Sequence, residues 1–355
     1  MAQNWLQKLR GKAVRRPTAS FDQVTEEDIY YCYRLFLRRE PDEQGLRSYR
    51  DLMRKDYISL KTLTEGFLHS KEFLSLHGDT PIAAIIAASH QIQLVELPDF
   101  KMYVRGDDLF IGRTLAAGQQ YEPYLTNEIR QHLQPETIFV DIGANIGYFT
   151  LTVAAALKGQ GKVFAFEPNL DNAELLKLSV AANGFTNVEL FPHAVTDKEE
   201  YFVLETDGSN GWIKSMQQEM AVGATDTTVG DGKQYFNGGH FLVKSVVLDE
   251  VLADVDHIDI IKMDVEGAEP RVLQGMCKLL QKHRPIIFTE FAPGMIDTIS
   301  HTTPEAYLQS FQDLGYTLFA VQTDTTHREA LTTEQVMKLF SEKQLNHIDL
   351  AAFPK

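Results

Sequence analysis

The sequence predicts an α/β fold with a mostly parallel sheet, preceded by a small all-helical domain. Short apolar runs alternate with helical segments between residues 137 and 343, and this alternation is typical of strands joined by crossover helices. Residues 25–76 instead show helical periodicity alone. A glycine-containing turn directly follows the first apolar run, as expected where a buried strand leads into a helix.

The amino-terminal part divides into a tail and a helical domain. Thr25 is followed by three acidic residues, which is a helix-capping signal, and residues 39–45 interrupt the helical pattern. Shorter helices are expected at residues 46–53, 59–68 and 70–76. We therefore predict four parts: a basic tail at 1–20, a helical domain at 21–78, a linker at 79–98 that includes a bridging segment at 83–88, and the α/β domain at 99–355.

The α/β domain is expected to open with a hairpin of residues 100–104 and 108–111, followed by a helix at 124–133. The predicted strands are 137–140, 162–166, 188–191, 242–247, 258–263, 285–290 and 317–321. The predicted helices are 148–157, 171–183, 270–280, 303–314 and 333–343. Residues 208–239 lack sustained periodicity apart from a short helix around Met216, which is typical of a lid, a substrate loop or a disordered insertion.

The turn after the first parallel strand has the character of a ligand-binding loop. Gly143 and Gly147 let the backbone approach a ligand closely, and the helix that follows directs its positive end to the same place. Glu167 ends the next strand, 20 positions beyond Gly147, where Rossmann-like folds carry the acid that binds ribose hydroxyls. The alternative is an ordinary strand-to-helix connection that contains two glycines.

The glycine spacing bears on the cofactor. The turn reads Gly-x-Asn-x-Gly, with Asn145 where dinucleotide dehydrogenases carry their second glycine, and no third glycine follows in the expected place. This favours S-adenosylmethionine (SAM) over NAD.

Three motifs together resemble the FkbM-type SAM-dependent methyltransferase family: residues 141–149 (DIGANIGYF), 166–168 (FEP) and 261–269 (IKMDVEGAE). The likeness extends over about residues 91–322. It implies a Rossmann-like class I methyltransferase fold, SAM as cofactor and transfer to oxygen. Residues 33–45 and 67–73 resemble a small helical domain of unknown function found in bacterial surface and glycan-related proteins.

The predicted cofactor site gathers strand ends and the lead-in to the first parallel strand. We expect Asp141 to bind the methionine ammonium directly or through water, and Glu167 to bind the ribose. The other predicted cofactor-binding residues are Gly143, Ala144, Asn145 and Gly147 in the glycine turn, Pro168 beside the acid, His193 and Ala194 near adenine, and Tyr121 and Glu122, for which core packing is equally compatible.

For catalysis, the candidate bases are Asp264 first and Glu290 second, with Glu266 as a polar neighbour. Lys262, Glu266 and Glu269 are equally compatible with a buried structural network, which we favour for Glu269. A divalent metal on Asp264 and Glu290 would suit carboxylate chemistry. No metal-ligand spacing appears in the sequence, so no metal is predicted.

Composition restricts the function classes. The net charge of −15 argues against nucleic-acid binding, because Lys and Arg supply most of that affinity. Two distant cysteines and the lack of a signal-peptide or membrane-spanning segment favour the cytoplasm. Residues 1–17 are basic and amphipathic, so they suit either weak contact with anionic lipid or a disordered terminus.

The leading prediction is O-methylation of a hydroxyl on a sugar, glycan or secondary metabolite. The alternatives are an N-methyltransferase acting on a small molecule, a non-catalytic scaffold that uses the same fold, and, more weakly, a nicotinamide oxidoreductase. The oligomeric state and the identity of the acceptor stay open.

Overall fold

The protein is represented by a computed structural model that describes residues 24, 26–37, 39–55, 63, 66–67, 70, 72, 92–105, 108, 111–207, 210–215, 227–230, 233–236, 240–321, 329–343 and 346–355. It forms two compact units, one of residues 1–89 with 225–239 and one of residues 90–224 with 240–355. The predicted tail at 1–20, the bridging segment at 83–88 and the short helix around Met216 lie outside the described residues. So do most of the predicted helices at 59–68 and 70–76. The four predicted domain boundaries stay a prediction.

Two helices are described in the first unit, α1 (Glu26–Leu37) and α2 (Glu43–Lys55). They enclose a small core in which Tyr33 and Phe67 lie edge to face, with ring centroids 4.9 Å apart. Tyr49 stacks on Phe67 at 5.2 Å. Aromatic side chains bury much area per residue, so a few of them can stabilise a unit of this size.

The second unit opens with an antiparallel hairpin of β1 (Ile92–Glu96) and β2 (Lys101–Arg105). The prediction of a strand at 108–111 was wrong, because Asp108 Oδ2 accepts the backbone N–H of Gly112 at 3.0 Å beside the start of helix α3 (Ile111–Ala116). The partner of β2 is β1, which lies inside the segment predicted as a linker. Ile92 and Leu94 are exposed on β1, so pairing with β2 rather than core burial stabilises this strand.

The remaining elements alternate much as predicted. Helix α4 (Pro123–His132) precedes the sheet. The elements that follow are β3 (Ile138–Ile142), α5 (Tyr148–Leu157), β4 (Lys162–Phe166), α6 (Leu170–Asn183), β5 (Val188–Phe191), β6 (Ala194–Val195), β7 (Tyr201–Asp207), β8 (Asn210–Ser215), β9 (Thr227–Gly230), β10 (Lys233–Phe236), β11 (His240–Val246), α7 (Leu248–Val251), β12 (Ile260–Met263), α8 (Glu269–Gln274), α9 (Cys277–His283), β13 (Ile286–Phe291), α10 (Pro293–Ser300), α11 (Pro304–Asp313), β14 (Tyr316–Ala320), α12 (Thr333–Lys343) and β15 (Ile348–Pro354).

A seven-stranded sheet of order β14-β15-β13-β12-β3-β4-β5 forms the centre of the second unit. Its strands pair in parallel except where β15 pairs with β13 and β14 in antiparallel register. The central strands are fully buried, as the continuous apolar runs predict, with Phe139, Val140 and Ile261 at 0% exposure. The predicted Rossmann-like α/β fold is confirmed. After β3 the chain adds β4 and β5 toward one edge of the sheet, and after β12 it adds β13, β14 and β15 toward the other edge. A crevice therefore lies between β3 and β12 at their carboxyl ends.

Two further predictions differ from the structure. The segment 208–239 contains strands: β8 pairs with β7, and β9 pairs with β10 within the first unit. Glu205 on β7 accepts hydrogen bonds from Trp212 and Lys214 on β8, so cross-strand polar pairs replace the missing apolar alternation. The predicted helix 270–280 is two helices, because the backbone at Gly275 packs directly against the Thr196 carbonyl.

No helix among the described residues is both long enough and apolar enough to cross a membrane.

Candidate active site

A cavity of about 690 Å³ opens at the carboxyl ends of the central strands. This volume is within the range of sites that bind small molecules. Its wall includes most of the predicted site residues: Tyr121, Glu122, Gly143, Ala144, Asn145, Glu167, Pro168, His193, Ala194, Asp264, Glu266 and Glu290. Asp141 and Gly147 were also predicted to bind the cofactor, but neither belongs to the cavity wall.

The glycine loop between β3 and α5 contributes shape to the cavity. Gly143 has φ 76°, and a Cβ at this position would overlap the carbonyl oxygen of Asp264. The five N–H groups from residue 143 to residue 147 all donate within the chain, two of them to the Phe166 carbonyl at 3.0 Å. The loop therefore lets a ligand approach closely, while its own donors are already used.

Gly147, at the end of the loop, packs against α6. Its φ is 95°, and a Cβ here would overlap the side chain of Leu176 on α6. The glycine is thus required by helix packing and by its left-handed backbone.

Asp141 is fully buried behind the cavity wall. Its Oδ2 accepts a hydrogen bond from Thr150 Oγ1 at 2.6 Å, and the backbone N–H of Thr150 also bonds the carboxylate, so Asp141 satisfies the first turn of α5. Burial raises the pKa of Asp141, and the nearby Lys262 charge opposes this change. Its Oδ1 has no hydrogen-bond partner among the described residues and lies 3.9 Å from Lys262 Nζ.

Lys262 is a buried cation between two acids. Its side chain is 4% exposed, and Nζ lies 3.2 Å from Asp264 Oδ2 and 5.0 Å from the centre of the Phe149 ring. Burial by itself lowers the pKa of Lys262, but the charges of Asp264 and Asp141 raise it above its usual value. The lysine therefore stays charged and fixes the Asp264 carboxylate at the cavity wall.

Glu167 connects the end of β4 to the glycine loop. Its Oε2 accepts the backbone N–H of Asn145 and its Oε1 accepts that of Asn169, each at 2.8 Å. The residue is 5% exposed, and burial raises its pKa to about 7 although these two hydrogen bonds lower it. The Asn172 side chain donates a third hydrogen bond to this carboxylate, so only part of its acceptor capacity remains for a ligand hydroxyl.

The other side of the cavity is acidic. Burial raises the pKa of Glu122 and of Glu266 to about 7, and the charge of Asp264 adds to both changes. Burial also raises the pKa of Glu290 well above its usual value. Asp264, which is 32% exposed, has its charge balanced by Lys262. Burial thus raises the pKa of Glu122, Glu266 and Glu290 alike, and these three acids border one space with Asp264.

Glu269 does not belong to the cavity wall. Its Oε1 accepts the backbone N–H of Val265 at 2.9 Å, and burial raises its pKa to about 7. It therefore fixes the loop that carries Asp264 and Glu266.

His193 lies at the strand end where the sequence predicts an adenine neighbour. Its Nδ1 is buried and has no hydrogen-bond partner among the described residues, and burial lowers the pKa of the ring. A neutral ring at the cavity wall can accept or donate one hydrogen bond to a ligand.

Asn210 and His347 are among the polar wall residues that sequence reasoning missed. Asn210 on β8 accepts a 3.3 Å hydrogen bond from Asn145 Nδ2, and His347 Nδ1 lies 3.2 Å from Glu290 Oε1. His347 directly precedes the antiparallel strand β15, whose amino end lies at the carboxyl edge of the parallel strands. Recognising residues 348–354 as a strand would have been the signal for His347.

No group of three or more His, Cys, Asp or Glu side chains suited to a metal ion occurs in the part of the chain that the structure describes. The proposed ligands Asp264 and Glu290 both border the cavity, but Asp264 is already paired with Lys262.

Comparison with known families agrees with this architecture. A model described as the methyltransferase FkbM domain matches residues 141–318, which contain the glycine loop, Glu167 and the Lys262–Glu269 segment. The chain belongs to the FkbM methyltransferase family. The sheet of this FkbM protein has the class I methyltransferase order: the seven strands, counted along the chain, lie as 3-2-1-4-5-7-6 with the seventh antiparallel. A second model, described as a domain of unknown function (DUF4214), matches residues 16–77.

Solved structures show distant similarity. A methyltransferase FkbM from Methylobacillus flagellatus KT is 13% identical with a TM-score of 0.38, and the match covers 92% of this chain and 59% of that one. The chain thus spans little more than half the length of that relative. A precorrin-6y C5,15-methyltransferase from Geobacter metallireducens GS-15 is 12% identical, with a TM-score of 0.35 and coverage of 73% and 98%.

A putative O-methyltransferase from Klebsiella pneumoniae is 13% identical, with a TM-score of 0.35 and coverage of 65% and 77%. No curated protein matched the chain.

Proposed function

We propose that this FkbM protein transfers a methyl group from SAM to a hydroxyl of a sugar, glycan or secondary metabolite. The observation that supports this most is the cavity of about 690 Å³ that borders both the glycine loop and Glu167 at the strand-order reversal. SAM supplies an electrophilic methyl group on a sulfonium, so the protein must chiefly orient an acceptor and exclude water.

The residues present fit SAM. Gly143 borders the cavity, so a ligand can lie against the backbone of the loop. The Glu167 carboxylate keeps acceptor capacity for a ribose hydroxyl beyond its three hydrogen bonds within the chain. The buried, unpartnered His193 Nδ1 suits a base edge. The acidic wall at Asp264 and Glu266 suits the positive charge of a sulfonium compound, since opposite charges attract strongly where water is excluded.

Asp141 takes a supporting role in this proposal. Because it is buried beneath the loop and bonded to Thr150, it holds α5 and balances Lys262. Contact with the methionine ammonium would require water, which is one of the two routes that the sequence suggested.

The acceptor side favours a neutral polar molecule with hydroxyl groups. Glu122 and Glu266 have pKa values raised to about 7 by burial, so each is able to donate or accept a hydrogen bond near neutral pH. A sugar presents hydroxyls that match such groups. An amine acceptor is the alternative, because the same wall would attract a cation; a protonated amine, however, must lose its proton before it can attack.

The test of the cofactor is calorimetric titration of the full chain with SAM, S-adenosylhomocysteine and NAD. We expect the two sulfur compounds to bind and NAD not to bind. Glu167→Ala should weaken S-adenosylhomocysteine binding strongly. Glu189→Ala is the matched control, since Glu189 is an exposed acid on the adjacent strand β5, paired with Lys162. Equal affinity of both variants would overturn the ribose role.

The test of the acceptor uses radiolabelled SAM with methyl α-D-glucopyranoside, methyl α-D-mannopyranoside and a matched amino glycoside. Alkali-stable label on the neutral glycosides supports O-methylation. Label found only on the amino group would indicate an N-methyltransferase instead of an O-methyltransferase. The absence of any transfer by a chain that binds SAM would favour a non-catalytic scaffold.

A further inference from the structure

His347 is a histidine of the cavity wall that was not among the predicted site residues. It immediately precedes β15, which pairs with β13 so that Asp349 lies opposite Glu290. Side chains two apart on a strand share a face, so His347 and Asp349 lie on the face that carries Glu290, with His347 as the diagonal neighbour. Antiparallel entry of β15 therefore brings an imidazole to the carboxyl edge of a parallel sheet.

The contact between the two side chains is specific. His347 Nδ1 lies 3.2 Å from Glu290 Oε1, and Glu290 is 13% exposed while His347 is half-exposed. Burial raises the pKa of Glu290, and above that pKa its ionised carboxylate attracts the proton of the ring to Nδ1. In the neutral ring this leaves the lone pair on Nε2, which no described residue of the chain hydrogen-bonds.

We propose that His347 is the general base that removes the proton of the acceptor hydroxyl and that Glu290 holds its ring in the required tautomer; this inference rests on the proposed methyl transfer to oxygen. The hydroxyl proton passes to Nε2 as the acceptor oxygen bonds the methyl carbon, and the carbon–sulfur bond breaks with its electron pair left on sulfur. The resulting imidazolium then releases the proton to water.

Asp264 suits this step less well. Its Oδ2 is paired with the buried Lys262 ammonium, and a proton on Asp264 would leave that charge balanced only by Asp141, 3.9 Å away. An imidazole changes charge near neutral pH without such a cost, and a base whose affinity for protons matches the working pH is the most effective.

The surroundings stabilise the imidazolium that forms. Glu290 comes from β13, Asp349 from β15, Asp264 and Glu266 from the loop after β12, and Glu122 from the start of α4. Lys262 on β12 is the neighbouring cation, and its charge is balanced by Asp141 and Asp264. The pKa of Asp349 is raised to about 6 by burial and by the charge of Asp264, whereas His347 lowers it, so the histidine and this acid stabilise each other's charges.

The first experiment needs no acceptor. Full chain labelled with ¹⁵N-histidine is studied by two-bond proton–nitrogen correlation at a pH where the ring is neutral and Glu290 is ionised, and the His347 signal is assigned by its loss in His347→Asn. We expect the Nδ1–H tautomer, with and without S-adenosylhomocysteine. A dominant Nε2–H tautomer would overturn the proposal, even if the protein proves to be a methyltransferase.

The second experiment measures methyl transfer to the two neutral glycosides. His347→Asn keeps a donor for Glu290 but removes the Nε2 base, so kcat should fall by about 10²- to 10⁴-fold while the Kd for S-adenosylhomocysteine is unchanged. His257→Asn is the matched control, because His257 is a half-exposed histidine paired with Asp259 at 3.3 Å outside the cavity.

The outcomes are distinguishable. An unchanged kcat in His347→Asn, or an equal loss in His257→Asn, would show that His347 is not the general base. A wild type that binds S-adenosylhomocysteine and methylates neither glycoside overturns the proposed acceptor class, and the tautomer then decides the His347–Glu290 arrangement by itself.

Discussion

Lys262 Nζ lies 3.2 Å from Asp264 Oδ2, and the lysine is almost completely buried while the aspartate reaches the cavity. The two residues are two positions apart at the end of β12, so one strand end supplies both a buried cation and the anion that faces the ligand space. A charge removed from water is costly unless it is paired. The position of Asp264 at the wall is therefore tied to the folding of the sheet.

Removal of the cation should destabilise the second unit. Lys262→Met leaves the buried Asp141 and the adjacent Asp264 without their counter-charge, and breaking a buried pair in this way costs about 3–5 kcal/mol. Guanidinium unfolding should show this loss, and Asp141→Asn in the same chain should restore part of it. Lys244→Met is the control, because Lys244 pairs with Glu199 at the surface and solvent screens that pair. Equal effects of the two lysine substitutions would contradict the buried role.

Gly143 and Gly118 allow the effect of close packing to be separated from that of backbone conformation. Both have left-handed φ values, 76° and 71°, but a Cβ on Gly118 meets no atom within 4 Å whereas one on Gly143 overlaps Asp264. Gly118→Ala should cost about 1–2 kcal/mol from its φ alone. Gly143→Ala should cost clearly more and should also weaken S-adenosylhomocysteine binding. Thermal unfolding and calorimetry of both variants measure this; a similar cost for the two would show that the loop and Asp264 are not in close contact.

Much of the fold could be predicted because its strands are buried on both faces. The runs at β3, β4 and β12 are largely apolar, and an acid lies within the last two positions of each run or just after it, so Asp141, Glu167 and Asp264 were placed at strand ends from the sequence. The glycines predicted a tight loop at the correct position.

The sequence could not predict how deeply each acid is buried, nor the strands that are stabilised mainly by pairing with other strands. Asp141 and Asp264 look equivalent in the sequence, yet Thr150 and Lys262 retain the first beneath the loop while the second reaches the cavity. The strand β8 includes polar and small residues and is stabilised by hairpin pairing with β7, whereas β15 is stabilised by pairing with β13 and β14. Because β15 was missed, His347 was missed with it.

At position 145 the left-handed backbone conformation should matter more for stability than the Asn side chain. Its φ is 51°, its Oδ1 accepts the N–H of Ile146 at 2.8 Å, and its Nδ2 donates to Asn210. Asn145→Gly keeps the backbone free to adopt this conformation, whereas Asn145→Ala adds about 1–2 kcal/mol of strain. We expect the alanine variant to melt at the lower temperature, although glycine usually costs more chain entropy. Equal or greater stability of Asn145→Ala would mean that the loop relaxes to another conformation.

Binding of S-adenosylhomocysteine should depend on the ionisation of Glu167. Burial raises its pKa to about 7, so in the free protein the carboxylate predominates above pH 7 and the protonated acid below it. Only the carboxylate can accept a hydrogen bond from a ribose hydroxyl while it also accepts its three hydrogen bonds within the chain, because a proton on Glu167 uses one acceptor position. Affinity should therefore be full above pH 7 and fall by up to about tenfold per unit as the pH drops below it.

Calorimetry between pH 5.5 and 8.5 measures this dependence, and two variants assign it. Glu167→Gln should bind weakly at pH 8 and lose the dependence. Glu266 has a pKa raised to about 7 as well, but it lies on the loop after β12, so Glu266→Gln should keep the dependence. The reverse result, a flat profile for Glu266→Gln and an unchanged slope for Glu167→Gln, would place the cofactor's ribose on the other side of the cavity.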